Sequence, residues 1–311
     1  MAFSLKNITE EHIIRQLTAK CKRAPDLYGV GDDCAALEHA VISTDTMIED
    51  VHFDDGISTV DLGWKLVAIN ASDIASMGKH PHWATLNLCL PRSLRTSWIS
   101  EFTTGLWEAL DHWSIKLIGG DTTQSPGPIV LTMTMGGSGD APTVWRSGAQ
   151  PEDNIYITGQ LGKAAIGFHH PQHKDCLKAF HRPQPPVSFA VELAEGQLVH
   201  AMMDLSDGLH KDLIKLSEAS SVEACIDFDL LPYPPEADCL SQKWSYIVGF
   251  GEDYEILFTA PKNNASKIKQ LARKHNVNIS QIGVITKRSE EKGNAYPKKG
   301  IWPPSLYSHF E

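Results

Sequence analysis

Seven aspartates in five short blocks carry the chemistry this sequence offers: Gly31-Asp32-Asp33, Ser43-Thr44-Asp45-Thr46, Asp73, Gly119-Gly120-Asp121-Thr122-Thr123 and Asp204-Leu205-Ser206-Asp207-Gly208. Most of them fall where an apolar, strand-like run stops: 40–44 before Asp45, 115–118 before Gly119, and Met202-Met203 before Asp204. Carboxylates at strand ends can converge in space. Hard divalent cations such as Mg2+ take oxygen ligands, with one or two carboxylates plus substrate phosphates around each ion. Any one block alone reads as a turn or a helix N-cap, since Asp and Gly serve both. Five blocks, with Ser or Thr beside the acids and Gly beside the expected phosphates, point to one site that holds several metal ions and a phosphate chain.

A nucleoside triphosphate can be held by a Lys-bearing phosphate loop or by cations that bridge acids to phosphates. The sequence has no G-x-x-x-x-G-K-[ST] and neither the H-R-D nor the D-F-G signature of protein kinases. It does supply acids with neighbouring hydroxyls and backbone N–H groups, which suit the second way. Phosphoryl transfer needs alignment and charge neutralisation more than covalent chemistry. An acceptor that is itself a phosphate needs no general base, so the lack of an Asp-His or Ser-His pairing fits. Arg146, in Trp145-Arg146-Ser147-Gly148-Ala149, is a candidate bidentate phosphate clamp, and equally a surface Arg at the entry to a second domain.

Elements must position these groups. The pattern predicts a helix from Glu10 to Lys22, strands near 40–44, 84–90, 115–118 and 129–135, and a helix that opens on the capping box Ser58-Thr59-Val60-Asp61 and stops at Gly78. Asp73 lies inside that helix between Ile69 and Met77, so a carboxylate on an apolar stripe requires a partner. A second helix runs over 97–112. Small residues and Pro at 136–142 mark a domain boundary, giving domains 1–141 and 142–311. The second half then offers a strand at 154–158, a Gly turn, helices, a strand at 200–203, a helix at 209–219, a strand at 254–258, a helix at 264–275 and a strand at 281–285. The expected fold class is α+β, with strands and helices mixed.

With 311 residues, 42% hydrophobic and 21% charged, the chain has the composition of a soluble globular protein of two domains. A net charge of −10 argues against nucleic acid as a partner and agrees with bound cations. The six cysteines form no C-x-x-C pair, and no secretory signal opens the chain, so a reducing cytoplasm is expected. His169, His170, His173 and His181 are read as solvated surface, and Cys34 as core. No apolar run of about 18 residues predicts a membrane span.

In this order the blocks resemble the thiamine-monophosphate kinase family of the aminoimidazole-ribonucleotide synthetase superfamily. The segments that carry the resemblance are 29–35, 42–46 with Val51-His52-Phe53 after it, 70–78, 117–123, 146–149, 204–209 and 251–255. The resemblance implies ATP-dependent phosphorylation of thiamine phosphate to thiamine diphosphate with several Mg2+ ions. It also implies a homodimer whose N-terminal sheets form a β-barrel at the interface. Positions matching the family's metal ligands are Asp33, Ser43, Thr44, Asp45, Asp73, Asp121, Asp204 and Asp207, of which Asp33, Asp45, Asp73, Asp121 and Asp207 are taken as catalytic. Gly120, Asp121, Arg146 and Ser206 match nucleotide contacts, and His52, Glu252 and Tyr307 match thiamine-phosphate contacts. Phe250 replaces a Gly of the family pattern, which predicts a narrower pocket or altered loop freedom, and Pro186 replaces an Arg. The alternatives are a selenophosphate synthetase or cyclo-ligase of the same superfamily, a phosphohydrolase, and a regulator that binds Mg-nucleotide without turnover.

Overall fold

The structure is a computed structural model, and it describes residues 10–19, 27–38, 40–289 and 294–304. In chain order the first half contributes α1 (Glu10–Thr18), β1 (Leu27–Tyr28), β2 (Ala35–Leu37), β3 (Ala40–Ile48), α2 (Thr59–Ser76), β4 (His80–Pro91), α3 (Ser97–His112), β5 (Lys116–Ser125) and β6 (Val130–Ser138). The second half contributes β7 (Asn154–Thr158), α4 (Lys163–His169), α5 (Lys174–His181), α6 (Val187–Glu195), β8 (Ala201–Asp204), α7 (Leu209–Ser220) and β9 (Val222–Ile226). It closes with α8 (Lys243–Val248), β10 (Ile256–Ala260), α9 (Ala265–Lys274), β11 (Ile279–Lys287) and β12 (Ala295–Pro297).

The strands form two six-stranded mixed sheets, ordered β1-β2-β3-β6-β4-β5 and β12-β9-β11-β7-β10-β8. Pairing is antiparallel except for β4 with β5, which α3 joins as a crossover, and β9 with β12. The fold is α+β, as expected, and among the described residues neither sheet closes into a barrel. One core lies between the sheets and includes apolar residues of α2, α3, α6 and α9; the other covers the outer face of the second sheet, under α4, α7 and α8.

Helix α2 is the axle of this arrangement. Ser58 Oγ accepts the Asp61 N–H at 3.0 Å, so the expected cap starts the helix, and Gly78 at φ 73° follows its end. Gly63 and Gly105 let α2 and α3 touch backbone to backbone: a Cβ at Gly105 would fall 1.7 Å from the Val60 carbonyl oxygen. Residues from Leu62 to Ser76 are buried almost without a break, because α2 packs on β3 and β6, on α3, and on α6 and β8 of the second half.

Two of the acidic blocks do not sit at strand ends. β3 continues through Asp45 to Ile48, and β5 continues through Gly119-Gly120-Asp121 to Ser125. Ladder partners on β6 and β4 satisfy the backbone there, and on the outer face Thr44 meets Thr134 at 2.9 Å and Thr46 meets Thr132 at 2.8 Å. The apolar run ends at these points because one face of the sheet turns polar, while the strand itself goes on.

Candidate functional site

Three hydroxyls on two elements hold three carboxylates from three elements. Ser43 Oγ on β3 donates to Asp73 Oδ2 at 2.5 Å, Ser72 Oγ on α2 donates to Asp204 Oδ2 at 2.7 Å, and Ser76 Oγ one turn on donates to Asp33 Oδ2 at 2.6 Å. One oxygen from each of Asp33, Asp73 and Asp204 lies within 4.8 Å of the other two. Asp204, at the end of β8, is 1% exposed, and its Oδ1 has no hydrogen-bond partner among the described residues.

Burial and mutual repulsion act in the same direction here. Burial first, then the neighbouring carboxylates, push Asp73 and Asp204 well above the ordinary range, and burial with Glu252 and Asp33 pushes Asp45 up to about 6. A crowd of acids with a buried orphan oxygen is costly on its own, and a divalent cation reverses that balance. The donors are all oxygen, which fits a hard ion of the Mg2+ kind. Asp33, Asp73 and Asp204 are the residues that would hold it.

The remaining expected ligands are placed unequally. Asp45 faces this cluster electrostatically, whereas Thr44 points to the outer face of the sheet, onto Thr134. The Asp207 carboxylate is turned onto Lys215 Nζ, and the Asp207 N–H donates to the fully buried Asp212 at 3.1 Å. Asp121 is exposed on the edge strand β5, in register with Asn87, Thr132 and Thr46 across three strand steps. Those steps separate it from Thr46 by about 14 Å, and Asp121 is not among the three acids whose oxygens gather within 4.8 Å.

Arg146 is not a surface residue. Its N–H donates to Asp32 Oδ1 at 2.7 Å, its Nε to Asp33 Oδ1 at 3.1 Å, with Nη2 on the same oxygen, and its Nη1 to the Gly31 carbonyl at 3.2 Å. Burial works against the charge, but Asp33, Asp204 and Asp32 outweigh it and raise the guanidinium above its ordinary value. The side chain thereby fastens the Gly31–Asp33 turn to the second half of the molecule.

Beside Asp45 a cavity of 320 Å³ opens, lined by His52, Lys65, Phe168, Phe180, Phe250 and Glu252, with Ser206 and Asp207 at its edge. His52 Nδ1 accepts the Ile48 N–H at 3.0 Å, which fixes the proton on Nε2. Glu252 at φ 70° and Tyr254 at φ 49° are in the left-handed region, a strained backbone that the surroundings must hold. Two acids do so. Asp253 accepts the Gly162 N–H at 2.8 Å and the Ala164 N–H at 3.2 Å, and Glu255 accepts the Thr158 hydroxyl at 2.5 Å.

Phe250 has an ordinary negative φ, so it narrows the cavity without straining the loop. Pro186 stands at the N-cap of α6. Of the four histidines expected on the surface, two are corrected: His181 lines the cavity, where burial lowers its pKa, and His170 has its Nε2 buried without a hydrogen-bond partner among the described residues. Tyr307 lies outside the described residues. Lys65, Ser72, Ser76, Phe168 and Phe180 were not singled out from the sequence. Lys65, a cation inside an apolar helical run, carried the one signal that could have found it.

Known proteins resemble this chain over both of its halves. The profile of the AIR synthase related protein N-terminal domain matches residues 31–138, and that of the C-terminal domain matches residues 150–295. A thiamine-monophosphate kinase of Escherichia coli (strain K12) is 37% identical, with 91% of each chain covered. Among solved structures, the thiamine-monophosphate kinase of Stenotrophomonas maltophilia K279a superposes with a TM-score of 0.77 at 32% identity, covering 92% of this chain and 94% of the other. AaThiL, complexed with AMPPCP and TMP, shares the fold with a TM-score of 0.85 at 24% identity over the whole of both chains. Sequence profiles over both halves and relatives above 30% identity lead to one conclusion: this chain belongs to the thiamine-monophosphate kinase family of AIR synthase related proteins.

Proposed function

We propose that the protein is a thiamine-monophosphate kinase that transfers the γ-phosphoryl group of ATP in line to thiamine phosphate, giving thiamine diphosphate and ADP. The observation that carries this reading is the three-acid cluster together with a cavity of aromatic wall and carboxylate, joined through Asp45, which both Asp33 of the cluster and Glu252 of the cavity influence. Family membership supports it, since the E. coli relative carries that activity in its name.

Mg2+ bound at Asp33, Asp73 and Asp204 would neutralise the charge of the transferring phosphates. The chain's own residues do the rest. Ser43, Ser72 and Ser76 fix the orientation of the three carboxylates. Arg146, held on Asp33, is the guanidinium that would meet the phosphate chain beside the cluster. Asp45 lies between cluster and cavity and links the two ends electrostatically through Glu252. His52 Nε2–H and Glu252 take the thiamine phosphate in the cavity, and the acceptor phosphate is already ionised at neutral pH, so no base has to remove a proton.

We keep Asp121, Thr44, Asp207, Gly120, Ser206 and Tyr307 as family-matched contacts. In this reading the domains meet at 141/142, and the exposed edge strand β5 and open face of the first sheet pair with a second copy, in a homodimer that closes an interface barrel. No helix among the described residues is long and apolar enough to cross a membrane, and the five described cysteines are free thiols, which supports a cytoplasmic site of action.

Purified protein with ATP, Mg2+ and thiamine phosphate should form thiamine diphosphate, and EDTA should abolish it. Binding of Mg-ATP with no product from any phosphorylated acceptor would overturn the reading in favour of a regulator, and phosphate release without an acceptor in favour of a hydrolase.

A further inference from the structure

Lys65 occupies a place where a cation is expensive. Its side chain is 2% exposed in the most enclosed helix of the molecule, where an apolar residue of the same length would pack without a desolvation cost. Two contacts compensate it. Nζ lies 2.6 Å from Glu252 Oε2 and 3.8 Å from the centroid of the Phe180 ring. Neither Nζ nor Glu252 Oε2 makes a directed hydrogen bond, so the pair is held by charge. The other oxygen of Glu252 receives the Tyr254 hydroxyl at 3.3 Å.

Both partners of Lys65 are walls of the same cavity. Phe180 continues into Phe168 at 5.3 Å between ring centroids, and Phe168 into Phe250 at 5.8 Å, so the ring gripped by Lys65 begins an aromatic wall of the cavity that Glu252 also lines. Glu252 also stands near Asp45 and in a strained backbone conformation. Without a counter-charge it would be driven away from the aspartates and out of its place.

We propose that Lys65 is a positioning residue for the acceptor: by holding Glu252 and Phe180 at once it fixes the carboxylate loop and the start of the aromatic row through Phe168 and Phe250, the walls between which a flat ring of the acceptor is seated. This rests on the reading above, in which the acceptor carries a thiazolium ring. Ser72 and Ser76 lie 7 and 11 residues after Lys65 along one stripe of α2, which separates the acceptor end from the cation end by about 10 to 16 Å. A change at Lys65 therefore acts on the acceptor and leaves the nucleotide alone.

The test is steady-state kinetics on the full chain with Lys65→Met, Lys65→Arg and the double variant Lys65→Met/Glu252→Gln, with melting curves alongside. Lys65→Met should raise the KM for thiamine phosphate roughly tenfold while the KM for ATP stays within about twofold, and Lys65→Arg should restore part of the loss. Because the two residues act as a unit, adding Glu252→Gln should cost little beyond Lys65→Met. Should Lys65→Met fail to fold, the double variant, which buries no unpaired charge, and Lys65→Arg carry the same comparison. Equal shifts in both KM values, an unchanged acceptor KM, or additive losses would overturn the proposal. Wild-type protein that forms no thiamine diphosphate would overturn the function itself, and the Lys65 proposal with it.

Discussion

The two ends of helix α2 handle charge in opposite ways. At one end Lys65 cancels Glu252 within the chain, and aromatic rings close around the pair. At the other, Asp33, Asp73 and Asp204 face one another with three serine hydroxyls and the single guanidinium of Arg146, on Asp33, as partners, and leave a buried oxygen of Asp204 unsatisfied. At the first end the opposite charges balance within the chain, although neither Lys65 Nζ nor Glu252 Oε2 makes a directed hydrogen bond. At the second the acids outnumber the one cation beside them, and the protein tolerates the repulsion because α2, β3 and β8 are each anchored elsewhere in the core. The difference separates a site that recognises shape from one that recruits charge.

Substitutions can break this contrast, and the largest effect is expected at the recruiting end. Asp73→Asn should lower kcat on the order of a thousandfold while the circular dichroism stays native, and the metal-free variant should melt higher than wild type because one of three repelling acids is gone. Near-normal turnover would place the cation elsewhere.

A smaller loss is expected one layer back. Ser72→Ala removes the hydroxyl that orients Asp204, and the Mg2+ concentration needed for half-maximal activity should rise about 10- to 100-fold with little change in the KM for thiamine phosphate. A change confined to the acceptor KM would show that the two ends are not separable. Binding itself gives a third measure. At pH 7.5, Mg2+ at about 100 times its dissociation constant should stabilise wild type by about 2.7 kcal/mol in a thermal-shift assay, and Asp73→Asn by much less. An equal shift in both proteins would argue for cation binding outside the cluster.

A pH profile sharpens the comparison from the recognising end. Burial raises Glu255 from 4.5 to about 7, so the native state favours its protonated form. Its contribution is full below pH 4.5 and is lost as pH rises through about 7, which is on the order of 3 kcal/mol across that window. Glu255→Gln keeps a partner for Thr158 without the titration, so the fall in melting temperature between pH 5 and 8 should flatten. Asp212 and Asp253, also raised to about 7 by burial, keep part of the slope, and an unchanged profile would show that Glu255 does not titrate there.

Local chemistry was legible in the sequence wherever a residue's type fixes its neighbourhood. Ser58 and Gly78 delimit α2 because a cap and a left-handed stop are properties of a few adjacent residues, and the expected bounds of α3 and β7 agree with the structure for the same reason. Asp73 announced a partner because an acid on an apolar stripe cannot remain alone. The order of the acidic blocks and their hydroxyl neighbours gave the family and the oxygen-ligand chemistry.

Only the tertiary structure decided which acids share a shell. Asp33, Asp73 and Asp204 are brought together by the packing of α2 between β3 and β8, a contact between residues 132 positions apart at Ser72 and Asp204. Asp121 is carried away by three strand steps and Asp207 is turned onto Lys215, and neither spacing nor residue type records those directions. Lys65 shows the same limit from the other side. Its cost is visible in the sequence as one cation in an apolar run, but its partners, Glu252 and Phe180, come from a loop and a helix far along the chain, and long-range packing alone names them.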